Sequence, residues 1–163
     1  MQGAALTRII SGGQTGVDRA ALDAALEAGF QCGGWCPAGR WAEDGAIAAR
    51  YPLAETESTD PAERTAANVA AADATLILTD GADDPGTQLT IAIAEKLKKP
   101  VLIVDFTAPE GQPLDTTGTA AEGAREWLSG LDVRTLNVAG PRESRAPGIY
   151  TLARGFMALL LGR

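Results

Sequence analysis

The chain has 163 residues, 45% hydrophobic and 21% charged, with a formal net charge of −7. That length suits one domain, residues 1–163, with a sizeable buried core. The acidic balance excludes a broad nucleic-acid or anionic-membrane surface, because both need a basic face, and the lack of any histidine removes the commonest general base and metal ligand.

Residues 7–11 read as a short β-branched strand that runs into Ser11-Gly12-Gly13-Gln14-Thr15-Gly16. Glycines at 12, 13 and 16 let the backbone turn sharply and lie close to a ligand. Ser11, Gln14 and Thr15 add hydrogen-bonding side chains, and exposed amides at the following helix start favour an anion, phosphate above all. The Gly-Gly-x-x-Gly spacing is neither the dinucleotide fingerprint nor the Walker A loop. The competing reading is a tight strand-to-helix turn with no ligand. Helix 16–28 follows, with Val17, Ala20, Ala21, Ala24 and Ala28 on one small-residue face. Asp18 in its first turn is either a plain capping charge or a site residue that takes a polar hydrogen from a ligand. Gly29 ends the helix.

A strand near 30–33 leads into a loop, 33–45, with four glycines, a proline, Trp35, Trp41, Arg40 and the Glu43-Asp44 pair. A loop of this kind must pack on something to stay ordered. Its tryptophans either cap the core beneath it or stack on a flat ring, and Arg40 is a candidate phosphate contact. Glu43 and Asp44 either share a proton or a cation, or are simply solvated. Cys32 and Cys36 are spaced Cys-x-x-x-Cys, which fits neither the redox motif nor a zinc set, and read as free thiols, with a disulfide as the alternative.

Residues 47–51 read as one helical turn and 52–56 as extended chain. Asp60, Pro61 and Glu63 sign a helix that runs to about 72, by N-cap, first-turn proline and capping box. On it Arg64 and Asn68 share a face, either as a working pair or as a solvated stripe. A buried strand, 74–79, is followed by the loop 80–87 and a helix, 87–98. Lys96, Lys98 and Lys99 fall in that helix's last turn, where they complement its negative end and are poor site candidates. Its opening, Gly86-Thr87, repeats the logic of the first glycine-rich turn. Strand 101–105, a loop at 106–117 with Pro109-Glu110-Gly111, and a helix 118–129 capped by Thr117 and ended by Gly130 come next. The last strand, 133–138, opens into Gly140-Pro141-Arg142-Glu143-Ser144-Arg145 before a terminal helix, 148–161.

Strands alternate with helices throughout, which predicts an α/β, Rossmann-like, open and mainly parallel five-stranded sheet with helices on both faces. In such sheets ligands lie beyond the carboxyl ends of the strands. The loops 11–18, 33–45, 80–88 and 138–147 all belong to that edge. Eleven arginines against three lysines offer planar forks for phosphate, unless they reflect only the coding bias of an alanine- and glycine-rich chain. No stretch of 18 apolar residues and no charged-then-apolar leader is present, so a cytoplasmic protein without a membrane partner is expected.

The blocks 11–19, 33–40 and 136–144 resemble the molybdenum carrier (molybdenum-cofactor carrier) family, in order and across nearly the whole chain. That family is similar to the Rossmann-like nucleotide-binding group that includes the lysine-decarboxylase-like phosphoribohydrolases. The resemblance implies a homo-oligomer, dimer or tetramer, that binds the molybdenum cofactor (molybdopterin) for storage, protection or delivery to a molybdoenzyme. The phosphoribohydrolases carry Pro-Gly-Gly-x-Gly-Thr-x-x-Glu with an upstream arginine. Arg64 stands for that arginine, but the loop here reads Asp84-Pro85-Gly86-Thr87-Gln88-Leu89-Thr90, and a Thr90 hydroxyl cannot replace an ionised carboxylate. The expected function is therefore a non-catalytic carrier of a phosphate-bearing small molecule. The expected ligand contacts are Ser11, Gly12, Gly13, Gln14, Thr15, Gly16, Asp18, Arg40, Gly86, Thr87, Arg142 and Arg145, with no catalytic or metal-ligating residue assigned. The rivals are an enzyme acting on nucleotides or nucleotide sugars, with Asp18, Glu43 or an aspartate of 80–84 as acid or base, and a nucleotide sensor domain.

Overall fold

Short apolar runs punctuated by glycine and proline become strands, and alanine-rich amphipathic runs become helices, in the computed structural model of the chain, which describes residues 5–107 and 118–162. The elements are β1 (Arg8–Ile10), α1 (Val17–Ala28), β2 (Gln31–Gly33), β3 (Trp35–Cys36), β4 (Trp41–Ala42), β5 (Gly45–Ala46), β6 (Ala54–Glu55), α2 (Pro61–Ala71), β7 (Ala74–Thr79), α3 (Pro85–Lys96), β8 (Val101–Asp105), α4 (Gly118–Ser129), β9 (Thr135–Ala139) and α5 (Ile149–Leu160). The expected loop at 106–117, its turn and the Thr117 cap lie mainly outside the described residues.

The five-stranded sheet runs β2-β1-β9-β7-β8 and is parallel throughout. Its register sets Ile9 opposite Leu136 and Leu76 opposite Val138. Connections run outward from the middle in both directions, and the last strand fills the middle. Counting β9 first turns the order into 3-2-1-4-5, that of a doubly wound sheet with its reversal point at β9.

Alternation along the strands separates the two faces. Ile9, Leu76, Leu78, Leu136 and Val138 point into the main core, which α1, α4 and α5 close with Val17, Ala20, Ala124, Phe156 and Met157. Ile10, Thr75, Ile77 and Asn137 take the opposite face, on the side of α2 and α3, which pack on each other. The small-residue stripe of α1 lets it lie close along α5.

Two local expectations change. Residues 47–51 form a single hydrogen-bonded turn, Tyr51 N to Ala48 O at 3.1 Å, rather than a helical one. Arg40 holds this segment in its open course through the carbonyls of Ile47, Ala48 and Tyr51. The helix expected at 87–98 starts at Pro85 with Asp84 as N-cap and ends at Lys96. Lys99 therefore serves a different helix, and its Nζ donates to the Ala70 and Ala72 carbonyls at the end of α2, 2.6 Å from each.

The polar loop after β2 packs on a small core of its own, Leu22, Cys36, Ala42, Ile47 and Tyr51. Neither tryptophan belongs to it: Trp35 stays 38% and Trp41 49% exposed. Cys32 and Cys36 form no disulfide.

The Asp60 cap offers a simple check. Its Oδ1 accepts the Ala62 amide at 3.0 Å. Asp60→Ala is expected to lower unfolding stability by about 1 kcal/mol in urea titration, and an unchanged midpoint would deny the cap that role.

Candidate functional site

At the carboxyl edge of the sheet, where the connections reverse around β9, a cleft encloses about 870 Å³ including its open mouth. Its walls come from the loop after β1 (Gly12, Gln14, Asp18), from α2 (Pro61, Arg64, Thr65, Asn68), from the start of α3 (Asp84, Pro85, Gly86, Thr87, Thr90) and from β9 with its loop (Asn137 to Gly140, Arg142, Arg145). Trp41 of β4 completes it.

Seven of the expected contacts meet there: Gly12, Gln14, Asp18, Gly86, Thr87, Arg142 and Arg145. Ser11, Gly13, Thr15, Gly16 and Arg40 do not line it. Ser11 is fully buried and its Oγ donates to the Asp18 carbonyl at 2.9 Å. The Gly13 carbonyl accepts both Nε and Nη2 of Arg19, at 3.1 and 3.0 Å. Gly16, at φ +79°, presses on the loop after β9, where an added Cβ would sit 2.5 Å from the Pro141 carbonyl oxygen. Thr15 Oγ1 donates to Glu43 Oε1 and accepts the Glu143 amide at 3.2 Å.

The amides expected to cradle a phosphate are thus largely spoken for. Gln14 N donates to Asp18 Oδ2, Thr15 N to Gln14 Oε1, and Val17 N to Pro141 O. The glycine-rich turn is a fastening between β1, α1 and the loop after β9, with only Gly12 and the Gln14 and Asp18 side chains reaching the cleft wall. Arg40 lies away from the cleft. Its guanidinium donates to the carbonyls of Ile47, Ala48, Tyr51 and Leu53 at 2.8 to 3.2 Å, which pins that segment and leaves no fork for a ligand.

Three arginines define the cleft's electrostatics, each beside a carboxylate. Arg64 Nη1 is 3.7 Å from Asp18 Oδ2 and donates to the Gly12 carbonyl at 3.1 Å. Arg142 Nε is 3.5 Å from Glu43 Oε2, and that nitrogen is buried without a hydrogen bond. Arg145 Nε is 3.7 Å from Asp84 Oδ1. None of these pairs has close charge-assisted geometry, so each guanidinium keeps donors to spare.

Asp18 is only 6% exposed. Burial drives its carboxyl up to about 6, against the pull of Arg64 and of the Gln14 amide. Burial also works to raise Glu43, but hydrogen bonds from Ser144 and Thr15 outweigh it and hold that carboxyl below its usual range. Glu43 and Asp44 turn to different partners: Glu43 latches the two cleft loops together, while Asp44 pairs with Arg19 at 2.9 Å.

Arg64 and Asn68 do share a cleft-facing side of α2, but with different duties. Asn68 exchanges two hydrogen bonds with the Trp35 backbone, at 2.8 and 3.0 Å, and so ties α2 to β3. Asn137, for which no site role was expected, also lines the cleft, as does Asp84, one of the aspartates of 80–84 named as a candidate acid or base. Asp84 was legible as an N-cap, because Asp84-Pro85 repeats the Asp60-Pro61 signal; its Oδ2 takes the Thr87 amide at 2.9 Å and hydroxyl at 2.7 Å. Asn137 gave no sequence signal, because only the register shows that β9 is central. Thr90 Oγ1 donates back to the Gly86 carbonyl at 2.9 Å, so this hydroxyl serves the helix.

Comparison with known proteins agrees with this architecture. Residues 9–161 match the model of the circularly permutated YpsA SLOG family. The chain is similar to the 1.45 Å crystal structure of a protein named "putative molybdenum carrier protein" from Syntrophus aciditrophicus SB, with a TM-score of 0.84 and 37% identity over 99% of this chain and 98% of that one. No curated protein sequence matches the chain.

Proposed function

Since the chain belongs to the circularly permutated YpsA SLOG family, we propose that it is a carrier for a phosphate-bearing small molecule, with the molybdenum cofactor's molybdopterin as its cargo. One observation carries this reading: Arg64, Arg142 and Arg145 converge from three elements on one cleft at the reversal point of the sheet, with donors left over. Arg142, whose Nε is buried without a hydrogen bond, and Arg145 hold the phosphate. The Asp18 carboxylate accepts a ring N–H or amino hydrogen, and Gln14 lines the same wall. The carrier name of the similar crystal structure supports the cargo, and the mixture of cationic forks and buried carboxylate suits a molecule with phosphate at one end and N–H donors at the other.

Among the described residues no group of three or more Cys, Asp or Glu side chains is gathered that could hold a metal ion. Any molybdenum would therefore ride on the cargo's own ligands.

The test is native purification followed by mass spectrometry and metal analysis of whatever copurifies. Molybdopterin near one per chain is the expected result, and a bound molecule without phosphate would overturn the reading. Arg145→Ala is expected to weaken binding of that molecule about tenfold or more, the contribution of one charge-assisted contact, measured by calorimetry. Unchanged affinity would remove Arg145 from the site.

A second reading is favoured by Asp18 itself, since a buried carboxyl near pH 6 facing a cleft suits a general acid or base. On that reading the protein hydrolyses a nucleotide, and release of free base from a nucleoside monophosphate would be lost in Asp18→Asn.

A further inference from the structure

Resting on the phosphate-holding reading above, we infer that Trp41 is the platform on which the ligand's ring lies, so that the cleft selects monophosphates carrying a flat heteroaromatic ring over ringless ones. The hairpin β4–β5 turns its two β4 residues opposite ways. Ala42 is 1% exposed and anchors the hairpin in the small core, while Trp41 is 49% exposed and lines the cleft. An indole left half in water forgoes much of its burial free energy unless something flat covers it. Trp35, though also partly exposed, lies off the cleft, so the composition of the loop alone cannot tell the two apart.

The platform is held in place two residues along. The Glu43 amide donates to Gln14 Oε1 at 2.9 Å. Glu43 Oε1 accepts the Ser144 amide at 3.1 Å and Oε2 accepts the Ser144 hydroxyl at 2.6 Å. The same carboxylate takes the Thr15 hydroxyl and sits 3.5 Å from Arg142 Nε. The hairpin is therefore tied to the loops after both β1 and β9, so the backbone that carries Trp41 is held before any ligand arrives and less ordering cost falls on binding. The same tie brings a cleft arginine, Arg142, beside the hairpin that carries the ring platform.

The experiment titrates GMP, a fused flat ring with one phosphate, and ribose 5-phosphate, which lacks the ring, into wild type, Trp41→Phe and Trp41→Ala, by calorimetry and tryptophan emission. Wild type is expected to prefer GMP about tenfold or more, within the range of one ring stacked on one aromatic side chain. The preference should shrink to about twofold or less in Trp41→Ala and stay intermediate in Trp41→Phe. GMP should quench emission in wild type but not in Trp41→Phe, where Trp35 and Trp127 remain. A preference that survives Trp41→Ala, or quenching that survives Trp41→Phe, would overturn the platform while leaving the phosphate site standing. If wild type binds neither probe, the phosphate-holding reading falls and the platform falls with it.

Discussion

Asp18→Asn is expected to make the protein more stable at neutral pH and less able to bind its ligand. The Asp18 carboxyl is raised from 3.8 to about 6 by burial. The folded protein therefore holds a proton that the unfolded chain has already lost between these values. Stability falls as pH rises through that window, and the cost is complete above about 6. The shift corresponds to at most about 3 kcal/mol, of which we expect about 1–3 kcal/mol to be recovered by the neutral amide. The gain should be absent near pH 4 and full at pH 7.5, read from urea unfolding at both. The amide oxygen can still accept the Gln14 N–H, whose contact with Asp18 Oδ2 is 3.3 Å. It cannot also offer a second acceptor to the ligand, so affinity should drop roughly 10- to 100-fold, the range for a hydrogen bond to a charged group. Wild-type affinity should likewise weaken as pH falls below about 6, when Asp18 takes up its proton. Equal stabilisation at both pH values, or unchanged affinity, would show that Asp18 is not a charge kept for a partner.

Gly140→Ala is expected to destabilise the fold strongly. An added Cβ would lie 2.1 Å from the Leu78 carbonyl oxygen and 2.7 Å from Val17 Cγ2. The first neighbour is backbone of β7, which cannot swing aside, so β9 must be pushed from β7 or α1 from the sheet. Overpacking of this kind costs about 1–3 kcal/mol or more. Gly155 in α5 is the contrast, with nothing within 4 Å of its added Cβ. There alanine should stabilise by about 0.5–1 kcal/mol through helix propensity. Opposite shifts of the unfolding midpoint are the expected pair. A tolerated Gly140→Ala would mean that the three elements are not in close contact at that point.

Much of this was legible in the sequence because it is local. The Asp60-Pro61-Ala62-Glu63 cap, the run Ala74–Thr79 and the small face of α1 each announce themselves within a few residues. The cleft edge was legible too, since helices alternating with strands put every strand-to-helix loop on one side. What escaped depends on distant pairing. The spacing of 12 to 16 marks a tight turn, but not that Pro141 and Glu43 would occupy its amides and hydroxyl. Arg40 and Arg64 look alike as arginines near polar loops. Four carbonyls of a neighbouring turn decide against the first, and the position of α2 beside β1's loop decides for the second. Nothing local says that the strand at 135–139 belongs between those at 8–10 and 74–79.

That placement has a consequence for how the molecule is born. Before Thr135 the chain can build the central sheet only as two separate pieces, β2 with β1 and β7 with β8. The keystone that joins them comes after both and must pair with β7 and with the far more distant β1, where Arg8 meets Thr135. Such closure is slow, because the entropy of a long loop must be surrendered before its contacts form. The cleft walls belong to both halves, Gly12 and Asp18 to one and Asp84 and Gly86 to the other. A ligand seated between them would act as a clasp on the two halves, holding a joint that only β9 completes.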